Sequence, residues 1–117
     1  MERLDFRQHN NGFLKVFIAK ETTDDYTENT KNLTYYNPIT IPAIISELTS
    51  EQLFWKSGGI RADRSFQVLI DKKFRETLRL SNKININGVD CYGYRNKTTK
   101  MKMKEMDTYI ELLAWGK

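Results

Sequence analysis

The chain is poor in the residues that make covalent and metal chemistry. Of its 117 residues one is cysteine, Cys91, and one is histidine, His9. A single cysteine excludes an intramolecular disulfide and a cysteine-based zinc cluster, which agrees with a reducing compartment or with indifference to redox. His9 has no partner at recognisable metal spacing, and two ligands do not close a zinc shell. One His and one Cys assemble no convincing nucleophile and base, so an enzyme is not expected, nor a metal or other cofactor. Long apolar runs are also missing. None approaches the ~18 residues that cross a bilayer, and the start Met1-Glu2-Arg3-Leu4-Asp5 lacks the charged-then-apolar order of a signal peptide. The expectation is a protein soluble where it is made, without a membrane partner.

What is present fits one domain, residues 1–117, whose size suffices to bury roughly two-thirds of the surface of its unfolded chain. The formal charge of +4 is a modest excess, and its distribution is more telling than its sum. Glu21, Asp24, Asp25 and Glu28 crowd one stretch, whereas Arg95, Lys97, Lys100, Lys102 and Lys104 crowd another. A chain so polarised is suited to stack on copies of itself or on a neighbour.

Residues 1–11 are polar and read as a flexible N-terminal arm. Residues 13–19, rich in β-branched and aromatic types, read as a strand. Residues 21–37 lack apolar periodicity and form a long loop, and loops of that length inside a small domain tend to be functional or disordered. Pro38 and Pro42 bracket the start of the next strand, in which Ile41, Ala43 and Ile45 share one face. That strand hands over to a helix of two turns at most, with Thr49 or Ser50 as its cap, Glu51 and Gln52 in its first turn and Gly58 ending it in the left-handed conformation. Residues 65–71 alternate Phe66, Val68 and Ile70 against Ser65, Gln67 and Leu69, the pattern of a half-buried strand. Residues 74–80 fit a helical turn or a short strand. Asn87-Gly88 between alternating runs supplies the positive φ angles of a type I′ hairpin, with Val89, Cys91 and Gly93 on one face of the second strand and Asp90, Tyr92 and Tyr94 on the other. Residues 95–104 form a basic loop that shades into an alternating Met-Lys run, Met101-Lys102-Met103-Lys104, which fits the rise of a strand equally well. Residues 108–115, apolar on both faces, read as a central strand. The expected fold is mainly β: a small open barrel or sandwich of five or six short antiparallel strands with one short helix and long loops.

Asp24 and Asp25 point apart on an extended backbone among solvating residues, which suits a solvated loop better than acid-base work. Gly58-Gly59 follows a helix instead of preceding one, so it caps and does not cradle phosphate. Phe54 and Trp55 are adjacent on a short turn and do not both face one core. Either one is exposed for a partner, or Phe54 packs beneath the barrel mouth while Trp55 covers a loop. The lysine-rich loop, with Tyr92, Tyr94 and Tyr109 nearby, has the composition of a nucleic-acid surface. Lysines also act as gatekeepers that keep edge strands from pairing with other chains.

Taken together, the order of parts resembles one family, the head-tail joining proteins of tailed bacteriophages, which include the head-closure or stopper subunits beneath the portal. The likeness rests on the strand before Glu21-Thr22-Thr23-Asp24-Asp25-Tyr26-Thr27-Glu28, on Ala43-Ile44-Ile45-Ser46-Glu47-Leu48-Thr49-Ser50-Glu51-Gln52, and on Arg64-Ser65-Phe66-Gln67-Val68-Leu69-Ile70. It continues through the hairpin Lys83-Ile84-Asn85-Ile86-Asn87-Gly88-Val89-Asp90-Cys91-Tyr92 and the closing Glu111-Leu112-Leu113, spanning about residues 13–113. No single motif carries it. The resemblance implies a virion structural protein of the neck between head and tail, made in the host bacterial cytoplasm. It implies a ring on the order of a dodecamer, with the portal or adaptor ring above, tail proteins below and packaged DNA in the channel. Candidate partner residues are Phe54, Trp55, Asp24, Asp25 and Glu28; candidate channel or DNA-facing residues are Lys56, Arg61, Lys97, Lys100, Lys102 and Lys104. The long basic 95–104 segment and the Asn/Lys-rich composition depart from the family pattern and leave open which loop meets DNA. The alternative is an OB-like single-stranded nucleic-acid-binding module, suggested by strand count, tyrosines and basic loop, which predicts salt-sensitive binding to single strands.

Overall fold

The computed structural model describes residues 11–20 and 34–116. Among the described residues seven antiparallel strands form one sheet that curls into a half-barrel. In chain order they are β1 (Gly12–Phe17), β2 (Ile39–Leu48), β3 (Ser65–Asp71), β4 (Lys83–Ile86), β5 (Val89–Tyr92), β6 (Met101–Glu105) and β7 (Tyr109–Trp115). Helix α1 (Ser50–Ser57) follows β2, and a 3-10 turn, Lys72–Phe74, leads from β3 into α2 (Arg75–Arg79). The strands lie in the order β5-β4-β1-β2-β3-β7-β6.

Alternation decides which side each strand buries. Leu14 and Val16 of β1, Ile41, Ala43 and Ile45 of β2, Phe66, Val68 and Ile70 of β3, and Ile110, Leu112 and Ala114 of β7 all face the concave side, joined by Ile84, Ile86 and Cys91. Leu78 of α2, fully buried, is part of the same core. Full burial of each large aliphatic side chain contributes about 1.5–3 kcal/mol relative to exposure.

The two edges of the sheet approach each other along a seam. Lys100 N donates to Tyr92 O at 3.0 Å, joining the residue before β6 to β5, while the bonds from Trp115 N to Lys100 O at 3.0 Å and from Gly116 N to Arg64 O at 2.9 Å extend the β6–β7 and β3–β7 ladders up to it. A Cβ on Gly116 would lie 2.7 Å from Val89 Cγ1, so β7 ends close against β5, where a larger residue would have to displace the Val89 side chain.

β2 changes partner halfway along its length. Its residues Ile39 to Ala43 pair with β1 and its residues Ala43 to Leu48 pair with β3. Pro42 sits at this hand-over, outside the register with β3, so it lies within the strand without breaking it. Beyond β1, the Asn11 side chain continues the ladder: Oδ1 accepts from Ile45 N at 2.7 Å and Nδ2 donates to Ile45 O at 2.9 Å.

The seventh strand arises because the Met101-Lys102-Met103-Lys104 alternation is strand β6, not the end of a loop. Residues 74–80 take the helical option. The placement of Tyr94 with Asp90 and Tyr92 is corrected: β5 stops at Tyr92, the chain turns, and Tyr94 packs against the core. The expected arm lies outside the described residues except for Asn11, as does most of the 21–37 loop. Its end returns at Tyr35, bridged to Ala19.

Candidate functional site

Helix α1 is short, and its ends are fixed by side chains. Thr49 Oγ1 accepts from Gln52 N at 3.1 Å and Gln52 Oε1 accepts from Thr49 N at 2.9 Å, a complete capping box. Gly58, at φ 81°, closes the other end. Leu53 is the large apolar residue that anchors the helix, fully buried outside the main core. Trp55 points away from it and is 73% exposed. Its ring meets that of Phe54 edge to face at 5.5 Å, and the Arg61 guanidinium covers Phe54 at 4.8 Å from the ring centre. A large aromatic side chain so exposed leaves apolar area in water that a partner would remove.

The basic strand reaches the same place. Alternation puts Lys102 and Lys104 on the side of β6 opposite Met101, and Lys102 Nζ donates to Ser57 O at 2.8 Å. An ammonium at the last turn of a helix also complements its dipole. Lys56 is exposed on that turn. Phe54, Trp55 and Arg61 thus form one contact group, Lys56 stands on the same helix, and Lys102, from a distant stretch of sequence, is tied to the last turn of that helix. Lys104 lies farther along β6, in register with Glu111. Lys100 is half-buried with its backbone tied into the seam, and Lys97 lies in the turn before it. At the foot of α1, Arg64 forks onto Glu47 with Nε 3.0 Å from Oε2 and Nη2 2.8 Å from Oε1. These hydrogen bonds hold the Glu47 carboxyl below its usual range. Asp24, Asp25 and Glu28 lie outside the described residues.

Two of the three tyrosines meet the basic segment through its backbone or theirs: Tyr92 O accepts from Lys100 N at 3.0 Å, and Tyr94 reaches the Met103 backbone. Tyr94 lies against the core, Tyr109 starts β7, and Tyr92 faces outward on β5 beside Lys83. Lys83 and Phe17, which the sequence reading did not single out, sit together there, and the alternation of Phe13, Lys15 and Phe17 was the available signal.

Among the described residues no group of three or more His, Cys, Asp or Glu is placed to hold a metal ion. No described helix is long and apolar enough to cross a membrane. Burial, and then the charge of Asp90, push the Cys91 thiol up to about 12. The folded state therefore keeps its proton after the unfolded chain has lost it. The stability contributed is fully present below pH 9, the ordinary thiol value, and is lost as pH rises toward 12. Replacing Cys91 with alanine should flatten the alkaline fall in urea midpoint across that window. Tyr35 and Tyr94, also raised chiefly by burial, keep part of the slope. An unchanged slope would show that Cys91 is not the group responsible.

Comparison with protein-family models, with curated proteins and with solved structures finds no match.

Proposed function

We propose that the chain is a head-closure subunit of the connector between capsid and tail of a tailed bacteriophage, acting as one copy in a ring. The observation that carries the reading is the surface around Trp55. A solvent-exposed indole on a firmly capped helix whose own turns and C-terminal end carry Lys56, Arg61 over the neighbouring Phe54 ring, and the bound Lys102 has the chemistry of an assembly contact beside a polyanion. The curled half-barrel agrees with the fold that the family resemblance implies. A head-to-tail ring needs two different faces on each subunit, and α1 with β6 supplies one of them. In this reading the cations of that face meet packaged DNA or the acidic stretch of a neighbour, and Trp55 docks into the adjoining subunit or ring.

Gold-labelled antibody against the chain should decorate the neck of tailed particles from a lysate that produces it. Particles without label, or label on capsid or fibres, would sink the reading. Trp55→Ala should leave the fold within about 0.5 kcal/mol of the parent, as expected for an exposed site. It should also yield particles that lose DNA or lack tails, at least tenfold fewer being infectious. Tailed, DNA-filled particles at parental titre would remove Trp55 from the assembly contact. Reversing charge at Lys100, Lys102 and Lys104 tests the cationic part in the same way, and unchanged incorporation into virions would refute it.

A further inference from the structure

The other half of the sheet carries a second surface of different chemistry. Alternation puts Phe13, Lys15 and Phe17 of β1 on the outer side, where register sets Phe13 beside Pro42 and Lys15 beside Thr40 of β2. On the other flank Lys15 pairs with Asn85 and Phe17 with Lys83 of β4, and these pair in turn with Asp90 and Tyr92 of β5. One row across three strands thus reads Phe17, Lys83, Tyr92 and the next reads Lys15, Asn85, Asp90. Lys83 Nζ lies 4.5 Å from the centre of the Phe17 ring and 5.4 Å from that of Tyr35. The two rings meet edge to face at 5.8 Å. Phe13 is 58% exposed and Lys15 is exposed beside it.

Rings and ammonium groups interleave here both along β1 and across the strands. A purely apolar partner would cover the rings but strip water from Lys15 and Lys83 without compensation. A single strand of nucleic acid satisfies both groups, since bases stack on ring faces and phosphates pair with lysines. A duplex does not, because its bases are already stacked on one another. The face holds one described carboxylate, Asp90. Its Oδ1 accepts from Asn85 Nδ2 at 2.8 Å and its Oδ2 lies 3.9 Å from Lys83 Nζ, which leaves Lys15 without an acidic partner among the described residues.

We infer that the outer face of β1, β4 and β5 binds single-stranded nucleic acid, with the exposed Phe13 as stacking platform and with Lys15 and Lys83, the latter seated over the Phe17 and Tyr35 rings, on the phosphates. The surface is built from β1, β4 and β5 instead of α1 and β6, and its binding does not depend on ring assembly.

Fluorescence anisotropy of a labelled oligothymidylate, titrated with the full chain over a range of salt concentrations, tests the proposal. The parent should bind saturably and prefer the single strand to a duplex of equal length. Phe13→Ala should weaken binding about tenfold, the loss of one stacked base. Lys15→Ala should reduce the slope of log affinity against log salt by about 0.7, the loss of one phosphate contact on a single strand. Both positions are exposed, and thermal melting checks that the variants are folded. Absence of saturable binding overturns the proposal, as does equal affinity for duplex. So does a loss of binding that follows Lys104→Ala and not Phe13→Ala or Lys15→Ala. Concentration-dependent self-association that Phe13→Ala abolishes, with no oligonucleotide bound, assigns the face to a second copy and overturns it too.

Discussion

Replacing Gly93 with alanine is expected to destabilise the protein by about 3 kcal/mol or more, at the upper end of what overpacking costs. The added methyl group would fall inside van der Waals contact of the Ser81 carbonyl oxygen and hydroxyl. Neither side can retreat. Gly93 N donates to Asn82 O at 2.9 Å, Arg95 N donates to Ser81 O at 2.8 Å, and the Ser81 hydroxyl is spent on Leu78 O. Asn82, buried, is itself fixed because its Oδ1 accepts from Ala19 N at 2.9 Å. Moving Ser81 therefore disturbs bonds that join α2, β1 and the turn after β5. Gly116→Ala provides a comparison, since the atom it meets belongs to the Val89 side chain, which can shift, and its cost should be smaller. Urea unfolding of the two variants gives the test. If Gly93→Ala melts within about 0.5 kcal/mol of the parent, the size of an ordinary surface change, the close approach to Ser81 is wrong.

Phe66→Ala should remove about 3–5 kcal/mol, the range for deleting a buried phenyl ring. Phe66 is fully buried on β3, whose neighbours on either side are β2 and β7. It stands opposite Ala114, a residue too small to fill the space the ring would leave. Against a total stability of roughly 5–15 kcal/mol, such a loss leaves a marginal fold. Equilibrium denaturation should show a large drop in midpoint. A drop below about 1 kcal/mol would mean that the surrounding side chains collapse into the cavity, contrary to the close packing inferred for this core.

Local chemistry accounts for most of what could be read in the sequence. Thr49 and Gln52 announce the start of α1 and Gly58 its end, because capping is decided within one turn of chain. The hairpin at Asn87 and Gly88 was legible for the same reason, and those residues take φ angles of 51° and 85°. The faces of β2 and β3 followed from period-two alternation. What escaped depended on partners distant in sequence. The Met-Lys alternation of β6 reads equally as the end of a loop or the rise of a strand until β7 is there to pair with it. Tyr94 continues the pattern of Asp90 and Tyr92 in sequence, yet the strand ends at Tyr92, Gly93 packs against Ser81, and the Tyr94 ring lies against the core. At the candidate site, the choice between a buried and an exposed Trp55 rested on which side Leu53 faces, a tertiary matter. That Lys102 would reach Ser57 was not readable, since the two are 45 residues apart. The face around Lys83 was half legible: Phe13, Lys15 and Phe17 alternate plainly, but only strand order puts β4 beside β1.

The hand-over in β2 bears on how the molecule carries a load. Antiparallel ladder bonds run perpendicular to their strands, so tension applied along a strand shears them together, whereas tension across it peels them one after another. β2 is bonded to β1 along one half and to β3 along the other, and it continues through Thr49 directly into α1. A pull transmitted through the Trp55 helix arrives end-on at this strand and spreads over both flanking ladders at once, making the joint stiff in the direction in which a docked neighbour would tug.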